Sequence, residues 1–497
     1  MLRDRRTAVV QLALGVFAVA IVAKAAKVQL WEGARWKAQA VRQHIAESSI
    51  PAPRGLILDA SGTPLAESRE RLQIAIATPE IRDPKRLARD LKRAGVDAAW
   101  LARLADPKRK WVQLPGSFVR SDIEDVLAMR GVNATPVGER VYAASGGVQR
   151  IIGHANPQGE GLDGIELTLD SLLRGTKGKV SLVKDVRGRR FESPDELSEE
   201  PLPGHTVTLT INGALQEISD RALGNAVTQM NADGGDIVVL DPNSGEIRAM
   251  ASRRRDPRST AATAIIEPYQ PGSTLKPFTA AALLARGKAR VDEVIETYNG
   301  EYKTFGRTIH DVHTAARLSL ADVIRFSSNI GIVRFAERLT PREQYESLRD
   351  FGFGTPTGIP YPLESGGVLR EPRYWSPQSP ASIAMGYEIS VTPLQLALAY
   401  GAIANGGELL EPSLVKEVRD LDGKVVYAAQ RRVVRRVLTP DGAKQIRQLL
   451  TGVVDSGTGK DAQLATIDVG GKSGTVRGMA HGRYVAGSYT ASFVGLF

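Results

Sequence analysis

Three short stretches of this 497-residue chain carry residue types that could do chemistry together. In Pro271-Gly272-Ser273-Thr274-Leu275-Lys276-Pro277-Phe278, a hydroxyl and an amine stand three positions apart at the start of a helical pattern. Ser273 is placed as the N-cap, with Lys276 on the same face of the first turn, a spacing that suits a nucleophile and its base. Arg325-Phe326-Ser327-Ser328-Asn329 lies between two helical runs, where Ser327 and Asn329 could relay a proton and hold a substrate amide. Val469-Gly470-Gly471-Lys472-Ser473-Gly474-Thr475 offers an ammonium, two hydroxyls and glycines that admit a ligand close to the backbone. Each stretch alone also fits a structural role: a capped helix, a Ser-Ser-Asn cap, a Gly-rich turn into a strand.

The elements around them follow from pattern. Thr279 to Arg286 reads as a helix that Gly287 closes, and Leu318 to Phe326 as a helix with another beginning at Ile330. Thr206–Ile211 is a strand, Ala214–Met230 an amphipathic helix, and Asp236–Leu240 and Glu246–Ala251 a hairpin about the turn Asp241-Pro242-Asn243-Ser244-Gly245. That order predicts an α+β domain, an antiparallel sheet with helices packed on it, from residue 204 to 497. The polar stretch from Glu192 to Pro201 reads as a linker or exposed loop ahead of it. Residues 29–203 read as an elongated α/β pedestal: an amphipathic stalk helix from Leu30 to Glu47, a hairpin from Arg54 to Ala66, charged helical patterns over 79–130, and a glycine-rich segment from Val141 to Lys179.

The first residues have a different texture. Thr7 to Ala23 carries no charge, and the apolar run extends to Val28 if Lys24 and Lys27 snorkel. A retained membrane anchor over 7–28, a cleaved signal and a buried core helix compete; lysines directly after Ala23 disfavour cleavage and the preceding arginines disfavour a core helix. Arginines before the span and lysines and arginines after it leave orientation open. The net charge of +10 is spread in short clusters such as Arg253-Arg254-Arg255, without a basic stripe interleaved with aromatics, so nucleic acid is not an expected partner. The chain has no cysteine, which excludes disulfides, thiolate zinc sites and cysteine catalysis. His310 and His313 lack an evident third metal ligand.

Taken together, Ser273-Thr274-Leu275-Lys276, Ser327-Ser328-Asn329 and Lys472-Ser473-Gly474 resemble the three signatures of penicillin-binding proteins and serine β-lactamases. The wider chain resembles the class B penicillin-binding proteins, monofunctional D,D-transpeptidases of peptidoglycan synthesis, a resemblance that implies helices on both faces of the sheet. The anchor, the Arg54-Gly55 hairpin, Gly161-Leu162-Asp163-Gly164-Ile165-Glu166, Leu240-Asp241-Pro242, and Gly386 to Gly407 all take part in that likeness. Tyr298-Asn299-Gly300 and Arg307-Thr308-Ile309-His310-Asp311-Val312-His313 incline it to the septal, division-type branch over the elongation branch.

The resemblance implies that Ser273 attacks the penultimate D-Ala carbonyl of a stem pentapeptide, expels the terminal D-Ala, and yields an acyl-enzyme that a neighbouring stem amine resolves into a cross-link. Lys276 would be the base, its pKa depressed by burial and by Lys472. Ser327 would shuttle the proton and Asn329 hold the substrate amide. Lys472, Ser473 and Thr475 would grip the terminal carboxylate beside Gly474, and the N–H groups of Ser273 and Thr475 would form the oxyanion hole. No cofactor or metal is implied. The implied partners are peptidoglycan stem peptides, β-lactams as covalent inhibitors, the inner membrane, a membrane-embedded lipid II polymerase of the SEDS family and other divisome proteins. Residues 1–6 would be cytoplasmic and the catalytic domain extracytoplasmic.

The chain departs from the family pattern at Ala60-Ser61, where Arg-Asn is usual, and at Asn212, where Asp is common. It stops at Ser492-Phe493-Val494-Gly495-Leu496-Phe497, an apolar run where the family continues with a further strand and helix, so truncation is expected. A β-lactamase or antibiotic sensor of the same fold, and a scaffold without catalysis, are the competing readings. The anchor, the pedestal and the lack of a clear deacylating Glu oppose the first, and the intact Ser273, Lys276, Ser327, Asn329 and Lys472 oppose the second. Opposite charge and motif position predict that Arg54 pairs with Glu166, within about 8 Å.

Overall fold

The computed structural model describes residues 2–33, 35, 45–50, 52–142, 146–184, 190–192, 199–256, 261–304, 306–480 and 483–497. They form two units, one of residues 1–53 with 175–203 and one of residues 54–174 with 204–497. In the first, a helix over Leu2–Ala26 continues through a π-helical turn, Lys27–Trp31. Thr7–Trp31 is long and apolar enough to cross a membrane, with mean hydropathy 2.2 and none of it buried in protein. Val9, Leu12 and Phe17 stand exposed around its circumference, a distribution that only an apolar surrounding makes favourable. The same unit holds an antiparallel sheet in the order Ile45–Ile50, Gly178–Lys184, Arg190–Glu192. The expected stalk helix is therefore not continuous: residues 36–44 lie outside the described set, and Ile45, Ala46 and Glu47 pair with Val183, Leu182 and Ser181 as a strand. Cross-strand pairing overrides the local helical pattern there.

In the second unit, the expected hairpin forms between Ile57–Leu58 and the start of Pro64–Ile76. Its turn is built by Asp59, which accepts from the N–H of Ser61 and of Thr63, both at 2.8 Å, while Gly62 takes a φ of +90°. The side chain at position 60 takes no part in those bonds, which explains why Ala60 is accommodated. The long strand continues against Val132–Tyr142 and carries its own small core, in which Leu72, Ile74 and Ile76 meet Leu87, Leu91 and Ile123. Ile57–Leu58 also pairs in parallel with Thr206–Leu209, so one seven-stranded sheet runs from Val425–Ala428 at one edge to Val112–Gln113 at the other.

Arg54 and Glu166 are buried and joined at 2.5 Å, as expected. Around them Arg140 Nε donates to Glu166 at 2.7 Å, and Arg54 Nη1 donates to Asp170 at 2.7 Å and to the Gly159 carbonyl at 2.9 Å. Burial and the Glu166 charge push the neighbouring Tyr142 hydroxyl up to about 12.

The rest of this unit surrounds a large apolar core. Helix Gly213–Gln229, capped by Asn212 through the Leu215 N–H at 2.9 Å, packs on the antiparallel pair Gly234–Leu240 and Ile247–Arg254. Either Asn or Asp can make that cap, so the departure at 212 leaves the helix start intact. A second antiparallel pair, Gly470–Ala480 with Arg483–Leu496, packs against helix Pro440–Ser456. At the centre lies helix Lys276–Ala285, whose Phe278 meets Phe351, Phe353 and Tyr400 edge-on at 4.8–5.1 Å.

Candidate active site

Ser273 sits inside a 3-10 turn, Gly272–Leu275, and the α-helix begins at Lys276. The expected N-cap role is corrected: no side-chain cap bond forms, because the turn winds straight into the helix and Leu275 precedes it in helical conformation. The half-buried Ser273 hydroxyl makes no hydrogen bond among the described residues. Its backbone is clamped from several sides. Gly272 has a φ of +56°, and its N–H donates to the Gly386 carbonyl at 3.1 Å. A Cβ on Gly386 would lie 2.0 Å from the Gly272 carbonyl oxygen. From beneath, the buried Tyr400 hydroxyl donates to the Thr274 carbonyl at 2.7 Å. The strand bearing Lys472 presses on the other side: a Cβ on Gly474 would meet the Pro271 oxygen at 2.9 Å.

Lys276 and Lys472 are both fully buried and converge on Ser327. Lys276 Nζ donates to the Ser327 carbonyl at 2.5 Å, reaches Ser327 Oγ at 3.3 Å, and donates to Asn329 Oδ1 at 2.9 Å. Lys472 Nζ donates to the same Ser327 Oγ at 3.0 Å and to the Ser473 carbonyl at 2.9 Å. Burial, then the Lys472 charge, hold the Lys276 amine well below the usual lysine range, against the opposing pull of Asp311. Burial brings Lys472 down to about 7. An amine with a lowered pKa is free to accept a proton at a lower pH than an ordinary lysine.

Ser327 has a φ of +59°, left-handed backbone unusual for a residue with a side chain. It turns the chain between helices Leu320–Arg325 and Asn329–Ala336, so that its carbonyl and hydroxyl both meet Lys276. Ser328, next to it, is the cap of the second helix, accepting from Gly331 N–H at 2.8 Å. The capping reading of Ser-Ser-Asn thus holds for the middle residue, while its two neighbours face the Lys276 amine. Ser473 is half-buried with its Oγ 3.0 Å from Thr458 Oγ1, and Thr475 is exposed on the same strand.

Sequence reasoning missed Asp311, Thr458 and Tyr400. Asp311 is buried, and accepts from the Asn329 N–H at 2.5 Å, the Ile330 N–H at 3.0 Å and the Ser328 hydroxyl. Its signal was an acid at the end of an alternating strand pattern, with Ile309 buried and Thr308 and His310 exposed. Nothing in the local pattern around Thr458 or Tyr400 distinguishes them from ordinary loop and core residues.

A family model described as the penicillin binding protein transpeptidase domain matches residues 235–497, and one described as the penicillin-binding protein dimerisation domain matches residues 49–209. The chain is 33% identical over 469 residues to a probable peptidoglycan D,D-transpeptidase PbpC of Pseudomonas aeruginosa, covering 91% of this chain and 80% of that one. It is 29% identical over 458 residues to the peptidoglycan D,D-transpeptidase FtsI of Escherichia coli, covering 88% and 75%. The crystal structure of penicillin binding protein 3 from Mycobacterium tuberculosis complexed with aztreonam superposes with a TM-score of 0.69 at 26% identity, over 90% of this chain and 87% of that one. Penicillin binding protein 2X from Streptococcus thermophilus shares the fold with a TM-score of 0.76 at 23% identity, over 90% and 74%. With a dimerisation domain ahead of a transpeptidase domain, the chain belongs to the class B penicillin-binding proteins, serine D-Ala-D-Ala transpeptidases.

Proposed function

We propose that this chain is a membrane-anchored transpeptidase that cross-links peptidoglycan stem peptides through an acyl-enzyme on Ser273, at the septum, and that β-lactams block it by acylating the same hydroxyl. The observation that carries the reading is the convergence of two buried amines, Lys276 and Lys472, on one hydroxyl, Ser327 Oγ, with Lys276 one turn along the chain from Ser273. Burial and the mutual repulsion of like charges favour the neutral form of these amines, the form that can take the Ser273 proton.

Lys276 takes that proton as Ser273 Oγ attacks the penultimate D-Ala carbonyl. The N–H groups of Ser273 and Thr475 receive the oxyanion, Asn329 holds the substrate amide, and Lys472, Ser473 and Thr475, beside Gly474, hold the terminal carboxylate. The proton passes through Ser327 to the departing D-Ala amine as the C–N bond breaks. A neighbouring stem amine then attacks the ester, loses its proton to the same relay, and restores the serine. Residues 29–203 act as the pedestal and 204–497 as the catalytic domain, with 7–28 in the inner membrane and the catalytic domain outside it. The septal role, alongside a SEDS polymerase and divisome proteins, is supported by the Tyr298-Asn299-Gly300 and Arg307–His313 motifs and by the likeness to FtsI.

Labelling with a fluorescent penicillin tests the reading directly. The full chain in detergent is expected to label stably, and Ser273→Ala not at all. Rapid release of the label would turn the reading to a β-lactamase, and absence of labelling to a scaffold.

A further inference from the structure

Asp311 is held as firmly as the residues it holds. Three consecutive positive φ values, +51° at Tyr298, +53° at Asn299 and +89° at Gly300, make a turn that chains with side chains avoid. That turn has a definite contact: the Gly300 carbonyl accepts the Asp311 N–H at 3.1 Å. Behind it, the buried Thr297 donates its N–H to the Ala316 carbonyl and its hydroxyl to the Ala315 carbonyl, both at 2.7 Å. A Cβ on Gly300 would lie 2.7 Å from Thr314 Cγ2, so the segments 297–300 and 311–316 are locked face to face. Strained backbone persists only where surrounding contacts hold it in place, and the element this turn fixes is Asp311.

The carboxylate then spends its acceptors on one target. It takes the N–H groups of Asn329 and Ile330 and the hydroxyl of Ser328, all at the junction that carries Ser327 and Asn329. Asn329 is tied from the same segment a second time, its Nδ2 donating to the His310 carbonyl at 3.0 Å. This leaves Asn329 Oδ1 aimed at Lys276. We propose that Asp311 is the positioning residue of this site, fixing Ser327 and Asn329 against Lys276 and supplying the buried negative charge that balances the two amines. The proposal rests on the transpeptidase reading, since it assigns Asp311 a part in that site's acylation.

The ionisable groups acting on Lys276 are Lys472 from the Gly470–Ala480 strand and Asp311 from the segment after Arg307–His310; Ser327 and Asn329, which touch it, are neutral. His310 is exposed, and His313 stacks on Phe326 with ring centroids 4.1 Å apart. Asp311 favours the ammonium form of Lys276. Removing its charge therefore makes the free amine available at lower pH.

Asp311→Asn and Asp311→Ala separate the two roles. In Asn, Oδ1 still accepts the two N–H groups and the amide can donate to Ser328, so geometry survives while charge is lost. The measurement is the second-order rate of acylation by a fluorescent penicillin from pH 5 to 9, on the full chain in detergent, with thermal unfolding as a check on folding. Asp311→Asn is expected to keep a maximal rate near wild type while its acid limb moves to lower pH by about half a unit or more. Asp311→Ala is expected to lose about 10²-fold in rate, as misplaced catalytic groups do. An acid limb that does not move in Asp311→Asn overturns the proposal, even if Asp311→Ala fails to fold. So does an Asp311→Ala protein that folds and acylates at the wild-type rate. Wild-type chain that does not label at Ser273 would instead fail the transpeptidase reading, and this proposal with it.

Discussion

Replacing Lys472 by Met should make the protein inactive and more stable, and the gain should depend on pH. The folded chain holds this amine near 7, against 10.5 for a free lysine, and the cause is burial. A folded-state pKa below the unfolded one means that the unfolded chain binds more protons between those values, so stability is lost as pH falls toward 7 and recovered as it rises toward 10.5. A shift of about 3.5 units corresponds to about 5 kcal/mol at most. Methionine fills a similar volume without that cost, but it takes one donor from Ser327 Oγ, which keeps Lys276, and one from the Ser473 carbonyl, at about 1–2 kcal/mol each. The net expectation at pH 7 is a gain of about 1–3 kcal/mol. For a compact unit of about 400 residues, each kcal/mol moves Tm by about 1 °C.

The assay is thermal unfolding of wild type and Lys472→Met from pH 6.5 to 9.5, beside penicillin labelling. The Tm advantage of the variant should shrink as pH rises, because the wild type alone recovers about 1.2 kcal/mol per pH unit near pH 8. A Tm difference independent of pH would refute the reasoning, since it would mean that Lys472 is charged in both states. Full labelling of Lys472→Met would separately refute its place in the site.

Other perturbations probe the supports. Glu166→Gln leaves the Arg140 guanidinium buried against a neutral partner and Arg54 with Asp170 as its remaining carboxylate, at a cost of about 3–5 kcal/mol. Tm should fall by several degrees while penicillin labelling at 25 °C persists; a Tm within 1 °C of wild type would sink the idea that this network holds the Arg54 hairpin. Gly386→Ala places a methyl 2.0 Å from the Gly272 carbonyl at a φ of +86°, so it should displace the serine turn and lower acylation by about 10²-fold. Unchanged acylation kinetics would show that Gly386 does not set the position of Ser273.

The helices and hairpins were legible because local rules suffice for them. Ser-Leu-Ala-Asp at 319–322 caps a helix, Gly287 at +64° ends one, and the apolar alternation around Asp241-Pro242 makes a hairpin wherever it packs. The proposed site residues were legible for a different reason: Ser273, Lys276, Ser327, Asn329 and Lys472 are chemically marked and stand in a known order. What holds them was not legible. Asp311 acts through backbone N–H groups of Asn329 and Ile330, which no side-chain motif records, and any of the chain's acids could have made those bonds. Lys276 and Lys472 share Ser327 Oγ, which stands on a left-handed backbone, and a serine carries no sign of its φ. The serine turn failed as an N-cap for the same reason: its conformation is dictated by Gly386, Tyr400 and the Lys472 strand, all remote in sequence. Sequence thus names the groups proposed to react, while tertiary contacts among unmarked residues set their surroundings and aim. Mutating those unmarked residues, Asp311 above all, is therefore a sharper test of this site than mutating the ones that sequence already singles out.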